Sequence, residues 1–236
     1  MQSEKDSPSF FHPFPRGQIA VVGQDAGRFL QNLVTNDISL LETLPQLHAC
    51  LLTPQGKYLH DFWITKDGNS YLLACEGGAR AEDLARRLSL YKLRAQIDIS
   101  LEPNTAHPLP VSFEEWDTAR IRAGQPDGSR DAEIGVSTLA ELNLDETSVS
   151  YTKGCYVGQE IVARMKNRNL GKTHLVPLEF SGALPQWGQA VTLNGETIGS
   201  MRSSCGQIGL VLMNREMEEK LKQRKAAHND PVRLLG

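Results

Sequence analysis

Apolar positions in the first hundred residues alternate with the two-residue period of a strand, then switch to the three-to-four spacing of a helix, and then switch back. Gln18 to Val22 is a short β-prone run closed by Gly23, after which Asp25 can cap a helix whose apolar face carries Phe29, Leu30, Leu33 and Val34. Leu47 to Leu52, Lys57 to Thr65 and Ser70 to Cys75 read as strands. The turns between them, Thr53-Pro54-Gln55-Gly56 and Asp67-Gly68, predict an antiparallel meander. Ala79 to Tyr91 returns to helical spacing, with Leu84, Leu88 and Tyr91 on one side and arginines on the other. Ala95 to Leu101 alternates again and should rejoin the sheet.

Three prolines between Glu102 and Pro110 then break regular structure and predict a linker or crossover. Glu114 to Ala123 reads as a short helix stopped by Gly124, Pro126 to Ile134 as turn-rich, and Ser148 to Tyr151 as a short strand. Gln159 to Lys166 is again helical. From Thr173 the texture changes to short β-prone pieces, Thr173 to Phe180, Ala190 to Leu193, Thr197 to Arg202 and Gly206 to Met213, separated by turn residues. That is the pattern of a small barrel or sandwich. A helix at Glu216 to Lys225 and a last strand at Val232 to Leu235 complete it. The predicted boundary falls near Lys172, giving units 1–172 and 173–236.

The 236 residues suffice for one large or two smaller cores. A formal net charge of -3 implies no general affinity for nucleic acid or anionic membrane, and no apolar run approaches a membrane span. Met1 to Pro15 carries acidic residues and prolines but no apolar core, and reads as a loose leader rather than an export signal. Cys50, Cys75, Cys155 and Cys205 are scattered, without a C-x-x-C pair or a histidine at zinc-ligand spacing. No metal or cluster held stably by this chain alone is expected, and the compartment expected is the reducing cytoplasm.

One stretch concentrates chemistry. In Lys153-Gly154-Cys155-Tyr156-Val157-Gly158-Gln159-Glu160 a cysteine stands between two glycines just ahead of a helix. Glycines permit a sharp turn that presents the thiol, the helix dipole favours its thiolate, and Lys153 adds charge of the same sign. The alternative is a tight turn with a packed cysteine. Gln159 and Glu160 serve equally as first-turn helix residues or as ligand contacts.

This octapeptide closely resembles the signature of the YgfZ proteins, relatives of the glycine-cleavage T protein that are linked to iron-sulfur cluster assembly and carry a folate-binding fold. Asp25 to Gln31 with Thr35-Asn36-Asp37, Thr53 to Lys57 with Asp61, and Trp116 ahead of Arg120 to Pro126 resemble the family in order and spacing. The resemblance implies an α+β fold: an abridged folate-binding core of antiparallel sheets with helices, followed by a small C-terminal β-barrel. Longer relatives insert an αβ subdomain that here is shortened around 102–115. The implied function is a folate-binding accessory protein for iron-sulfur cluster assembly or repair. It would be an assembly factor more than a classical enzyme, would work through iron-sulfur client or carrier proteins, and would affect tRNA modification indirectly. Cys155 would be the working thiol and Lys153 its support. Trp116 would stack on tetrahydrofolate, Arg120 and Arg122 would meet its glutamate carboxylates, and Gln159 and Glu160 would line the site. Direct RNA binding is not expected, because the basic run Arg164, Lys166, Arg168, Lys172 lacks aromatic residues for stacking. Two rivals are a folate-dependent aminomethyl- or methyltransferase of the T-protein type and a non-catalytic scaffold without folate.

Overall fold

A computed structural model describes residues 17–102, 111–168, 171–224 and 230–235. The leader and most of the proline-rich stretch lie outside the described residues. Two five-stranded antiparallel sheets carry the fold. The first contains β1 (Gly17–Val22), β2 (Leu47–Leu52), β3 (Tyr58–Asp67), β4 (Ser70–Cys75) and β5 (Asp98–Glu102), in the order β2-β3-β4-β1-β5. β2 to β4 form the expected meander, and β5 returns to pair with β1 at the edge.

α1 (Ala26–Gln31) and α2 (Ala79–Lys92) pack on one face of this sheet. Leu84 and Leu88 of α2 are fully buried against Ile19, Val21 and Leu73. Each such leucine contributes about 1.5–3 kcal/mol of apolar burial. α1 is shorter than its apolar spacing predicts. Leu33 and Val34 are buried, but in the turn after the helix, because the chain leaves helical geometry to reach Thr35-Asn36-Asp37.

α3 (Phe113–Arg122) starts with a capping box, in which the Ser112 hydroxyl accepts from the Glu115 amide and the Glu115 carboxylate accepts from the Ser112 amide. The segment 128–156 that follows is irregular, and the strand expected at Ser148 to Tyr151 is absent. Its main chain is held by isolated bonds instead: Ser150 donates to the Thr35 carbonyl, and the Thr35 hydroxyl donates to the Ser148 carbonyl. α4 is Gln159–Asn167.

The second sheet comprises β6 (Thr173–Phe180), β7 (Ala190–Leu193), β8 (Glu196–Cys205), β9 (Ile208–Asn214) and β10 (Val232–Leu234), ordered β10-β6-β9-β8-β7, with α5 (Arg215–Gln223) beside it. Three apolar clusters fill the molecule. One lies under α1 and α2, and one lies inside the second sheet. The third joins Cys50, Leu52 and Tyr58 of the first sheet to Leu139 and Leu142 of the irregular segment and to Leu175 and Leu210 of the second sheet. The change of texture at Thr173 is thus a change of sheet, while the apolar packing runs across it.

Candidate functional site

The thiol loop is built by backbone against backbone. Gly158, at φ +86°, precedes α4; a Cβ there would lie 2.7 Å from the Thr53 carbonyl oxygen and 3.1 Å from the Gly56 Cα. Gly56, at φ +71°, sits as close to Ile161. The turn between β2 and β3 and the loop before α4 therefore interlock only because both positions lack side chains. Gly154 has no such constraint: a Cβ there meets nothing within 4 Å. Cys155 is exposed, whereas Cys50 and Cys75 are buried and Cys205 is half-buried. Tyr156 anchors the loop in the shared apolar cluster.

The charge of Lys153, expected to support the thiolate, is engaged by main-chain oxygens. Its ammonium is buried and donates to the carbonyl oxygens of Val34 (2.8 Å) and Asn36 (2.7 Å), and lies 5.4 Å from the centre of the Tyr156 ring. Burial lowers its pKa to about 8, against the opposing effect of Asp37. Gln159 reaches back to the Gly154 carbonyl (3.4 Å), and Glu160 pairs on the surface with Arg164 (2.6 Å).

A cavity of about 430 Å³ opens between the first sheet and α3. Trp63 and Trp116 line it together with Leu47, Leu144 and Gln46, and the Gln46 Oε1 is buried without a hydrogen-bond partner. Its size and mixed lining suit a flat, polar-edged organic ligand. At its sheet side His48 and Asp61 are paired: His48 Nε2 lies 3.1 Å from Asp61, Nδ1 lies 2.6 Å from the Ser148 hydroxyl, and the ring packs 4.8 Å from Trp63. The Tyr58 hydroxyl donates to the other Asp61 oxygen. Burial, then the Asp61 charge, pushes the Tyr58 pKa well up, so this phenol stays a donor. The cavity thus borders a carboxylate oriented on both oxygens, by His48 and by Tyr58.

Trp116 lies in the cavity wall. Arg120 also borders the cavity, but its guanidinium is committed inside the protein. Nε donates to Asp117 (2.6 Å), Nη1 to Asp131 (2.8 Å) and the Gln125 carbonyl (3.1 Å), and Nη2 to the Ser203 hydroxyl (2.7 Å). It fastens α3 to β8 rather than waiting for a ligand carboxylate, which corrects the expectation from sequence. Arg122, exposed at the end of α3, the half-buried Gln159 and the exposed Glu160 all lie outside the cavity lining.

His48 was missed from sequence, and Asp61 was not joined to it. The register of β2 with β3 sets His48 opposite Trp63 and Asp61 opposite Cys50, on the face away from Leu47, Ala49 and Phe62. Pairing the hairpin from its Gly56 turn would have brought them together. Among the described residues no group of three His, Cys, Asp or Glu side chains is placed to hold a metal ion.

Fold and site define an α+β protein of the aminomethyltransferase fold, ending in a β-barrel domain. The family described as CAF17, C-terminal beta-barrel domain, matches residues 172–234. The glycine cleavage system aminomethyltransferase T from Bartonella henselae superposes with a TM-score of 0.69 at 15% identity, covering 85% of this chain and 76% of that one. By sequence the chain is similar to the mitochondrial iron-sulfur cluster assembly factor IBA57. It is 25% identical to the mouse protein, covering 85% of this chain and 76% of the relative, and 27% identical to the human protein, covering 88% and 77%. These relatives carry the IBA57 name rather than YgfZ. The alignment to the mouse protein runs over 273 positions, more than this chain contains, so the relative has residues without a counterpart here. The expected cytoplasmic location is overturned, since both relatives are named as mitochondrial. Scattered free cysteines indicate a reducing interior and do not distinguish one such compartment from another.

Proposed function

We propose that this chain is an accessory factor in iron-sulfur cluster assembly or repair, offering the Cys155 thiolate to a cluster carried mainly by a partner protein. The observation that carries this is the exposed Cys155 on a loop locked glycine against glycine, in a chain similar over most of its length to cluster assembly factors. One thiolate cannot hold a cluster, so the remaining ligands come from the iron-sulfur carrier or client. Effects on tRNA modification would follow indirectly, through cluster enzymes.

The cavity supports tetrahydrofolate as the small-molecule ligand. Trp63 and Trp116 offer faces to its ring, and the unpartnered Gln46 oxygen offers an acceptor to its polar edge. Once bound, folate would supply one-carbon or reducing chemistry at its pterin. Arg120 is not free to receive its carboxylates, so those would extend toward solvent.

The test is a strain lacking the protein, complemented with wild type or Cys155→Ser, with the activity of a cluster-containing enzyme measured under oxidative stress. Loss of that activity with the serine variant at equal protein level is expected; full complementation would overturn the role of Cys155. A second reading, a folate-dependent aminomethyl- or methyltransferase, is favoured by the His48–Asp61 pair beside the cavity. It would be preferred if purified protein turned over an aminomethylated carrier with tetrahydrofolate, and if that turnover were abolished by Asp61→Asn but not by Cys155→Ser.

A further inference from the structure

The functional reading leaves Lys153 without a role, although it is a buried cation two residues from the thiol. Its ammonium donates to the Val34 and Asn36 carbonyls, in the turn that follows α1. That turn is itself tied to the cavity side of the first sheet. Asn36 Nδ2 donates to the His48 carbonyl (2.9 Å), and the Cys50 amide donates to the Thr35 hydroxyl (2.8 Å). His48 in turn holds Asp61.

We propose that Lys153 is the positioning residue of the thiol loop, fixing Cys155 relative to the cavity wall through the Val34–Asn36 turn. Residues 151–156 form no helix or strand. Their main-chain ties are sparse: the Lys153 amide donates to the Ser150 hydroxyl (3.2 Å), the Gln159 side chain to the Gly154 carbonyl (3.4 Å), and the Gln159 amide to the Tyr156 carbonyl (3.2 Å). A Cβ on Gly154 would meet nothing within 4 Å and Cys155 is exposed, so their side-chain positions do not hold the loop, and Tyr156 anchors only its far end. Two short bonds from a charged donor are stronger than any of these ties. The ammonium is also central to the loop, so removing it frees the backbone on both sides of Gly154. The weight of this for function rests on the reading of Cys155 as the working thiol. The fixing itself is a property of the isolated protein.

The experiment is amide hydrogen exchange over residues 150–157 in wild type, Lys153→Met and Lys153→Arg. It is paired with the spectrum of a nitroxide attached to Cys155 in a Cys205→Ser background. Lys153→Met should speed exchange in this segment about tenfold, on the scale of a lost charged hydrogen bond. The nitroxide spectrum should sharpen while β6 to β9 keep their protection, and Lys153→Arg should restore most of the order. Unchanged local exchange in the methionine variant would overturn the proposal, as would a uniform loss of protection across both sheets. Asn36→Ala provides a second arm, because it keeps both acceptor carbonyls but removes one of the ties between this turn and β2. It should raise exchange in 150–157 by a smaller factor, and no rise would count against the shared anchor. None of these readouts depends on cluster chemistry, so their failure and the failure of Cys155→Ser to show a phenotype are separable.

Discussion

Arg120 at the junction of α3 with the barrel and Lys153 under the thiol loop are both buried cations that bind groups of the chain itself, but their counterparts differ. Arg120 is met by two buried carboxylates, Asp117 and Asp131, and by the Ser203 hydroxyl, which also donates to Asp131. Asp117 is further paired with Arg130, and Arg130 with Asp127. Lys153 is met by two main-chain carbonyls and an aromatic face. A planar guanidinium among carboxylates keeps its charge and fastens two elements. An ammonium held by neutral oxygens has a depressed pKa and secures a loop. The first region joins two elements, and the second ties down the loop that carries the exposed Cys155.

The largest way to break this comparison is Arg120→Met. It would leave the buried Asp131 without its cation and the buried Asp117 with Arg130 alone. Losing one partner of a buried network costs about 3–5 kcal/mol. Chemical denaturation should show a loss of that order. A loss below about 1 kcal/mol would mean that the network is not what joins α3 to the second sheet. Replacing Arg120 and both aspartates with apolar residues of similar size should recover much of the loss.

The thiol loop is tested by its two glycines. Gly158→Ala forces a side chain into a left-handed conformation and into the Thr53 carbonyl, and should cost about 2 kcal/mol. Gly154→Ala, in open space, should change stability by less than about 0.5 kcal/mol. Paired thermal melts of the two variants check this. Equal effects would show that the glycine interlock with Gly56 does not shape the loop.

Much of this was legible before any coordinates. The meander, α2 and the strands of the second sheet follow from apolar period and turn residues, because each buries one face against a neighbour next to it in the chain. The irregular segment 128–156 was not legible. Its bonds run to residues about a hundred positions earlier, such as Thr35 and His48, and no local pattern encodes such partners. For the same reason the cysteine loop was found but the task of Lys153 was not: the residue type suggested a charge for the thiol, while its acceptors are main-chain carbonyls that any sequence provides. Arg120 was misread because a guanidinium suited to a ligand carboxylate is equally suited to Asp117 and Asp131. Trp116, expected to stack on a ligand ring, lines the cavity, where an indole has a wall to fill.

A pH titration separates the two cations. Lys153 has a pKa of about 8 in the folded protein against 10.5 as the ordinary value, because burial disfavours its charge. Between those values the unfolded chain binds more protons than the folded one, so stability rises with pH across this window. The gain is complete above about 10.5 and is lost as pH falls toward 8. The full difference in pKa would correspond to about 3 kcal/mol, and water reaching the amine reduces it to about 1–2 kcal/mol. Other groups titrate in the same range, so the informative quantity is the difference between wild type and Lys153→Met in urea midpoint at pH 7.5 and at pH 10. Wild type should gain on the variant as pH rises. A constant difference would place the ammonium in contact with more water, or with a carboxylate, and would make its anchorage resemble that of Arg120 after all.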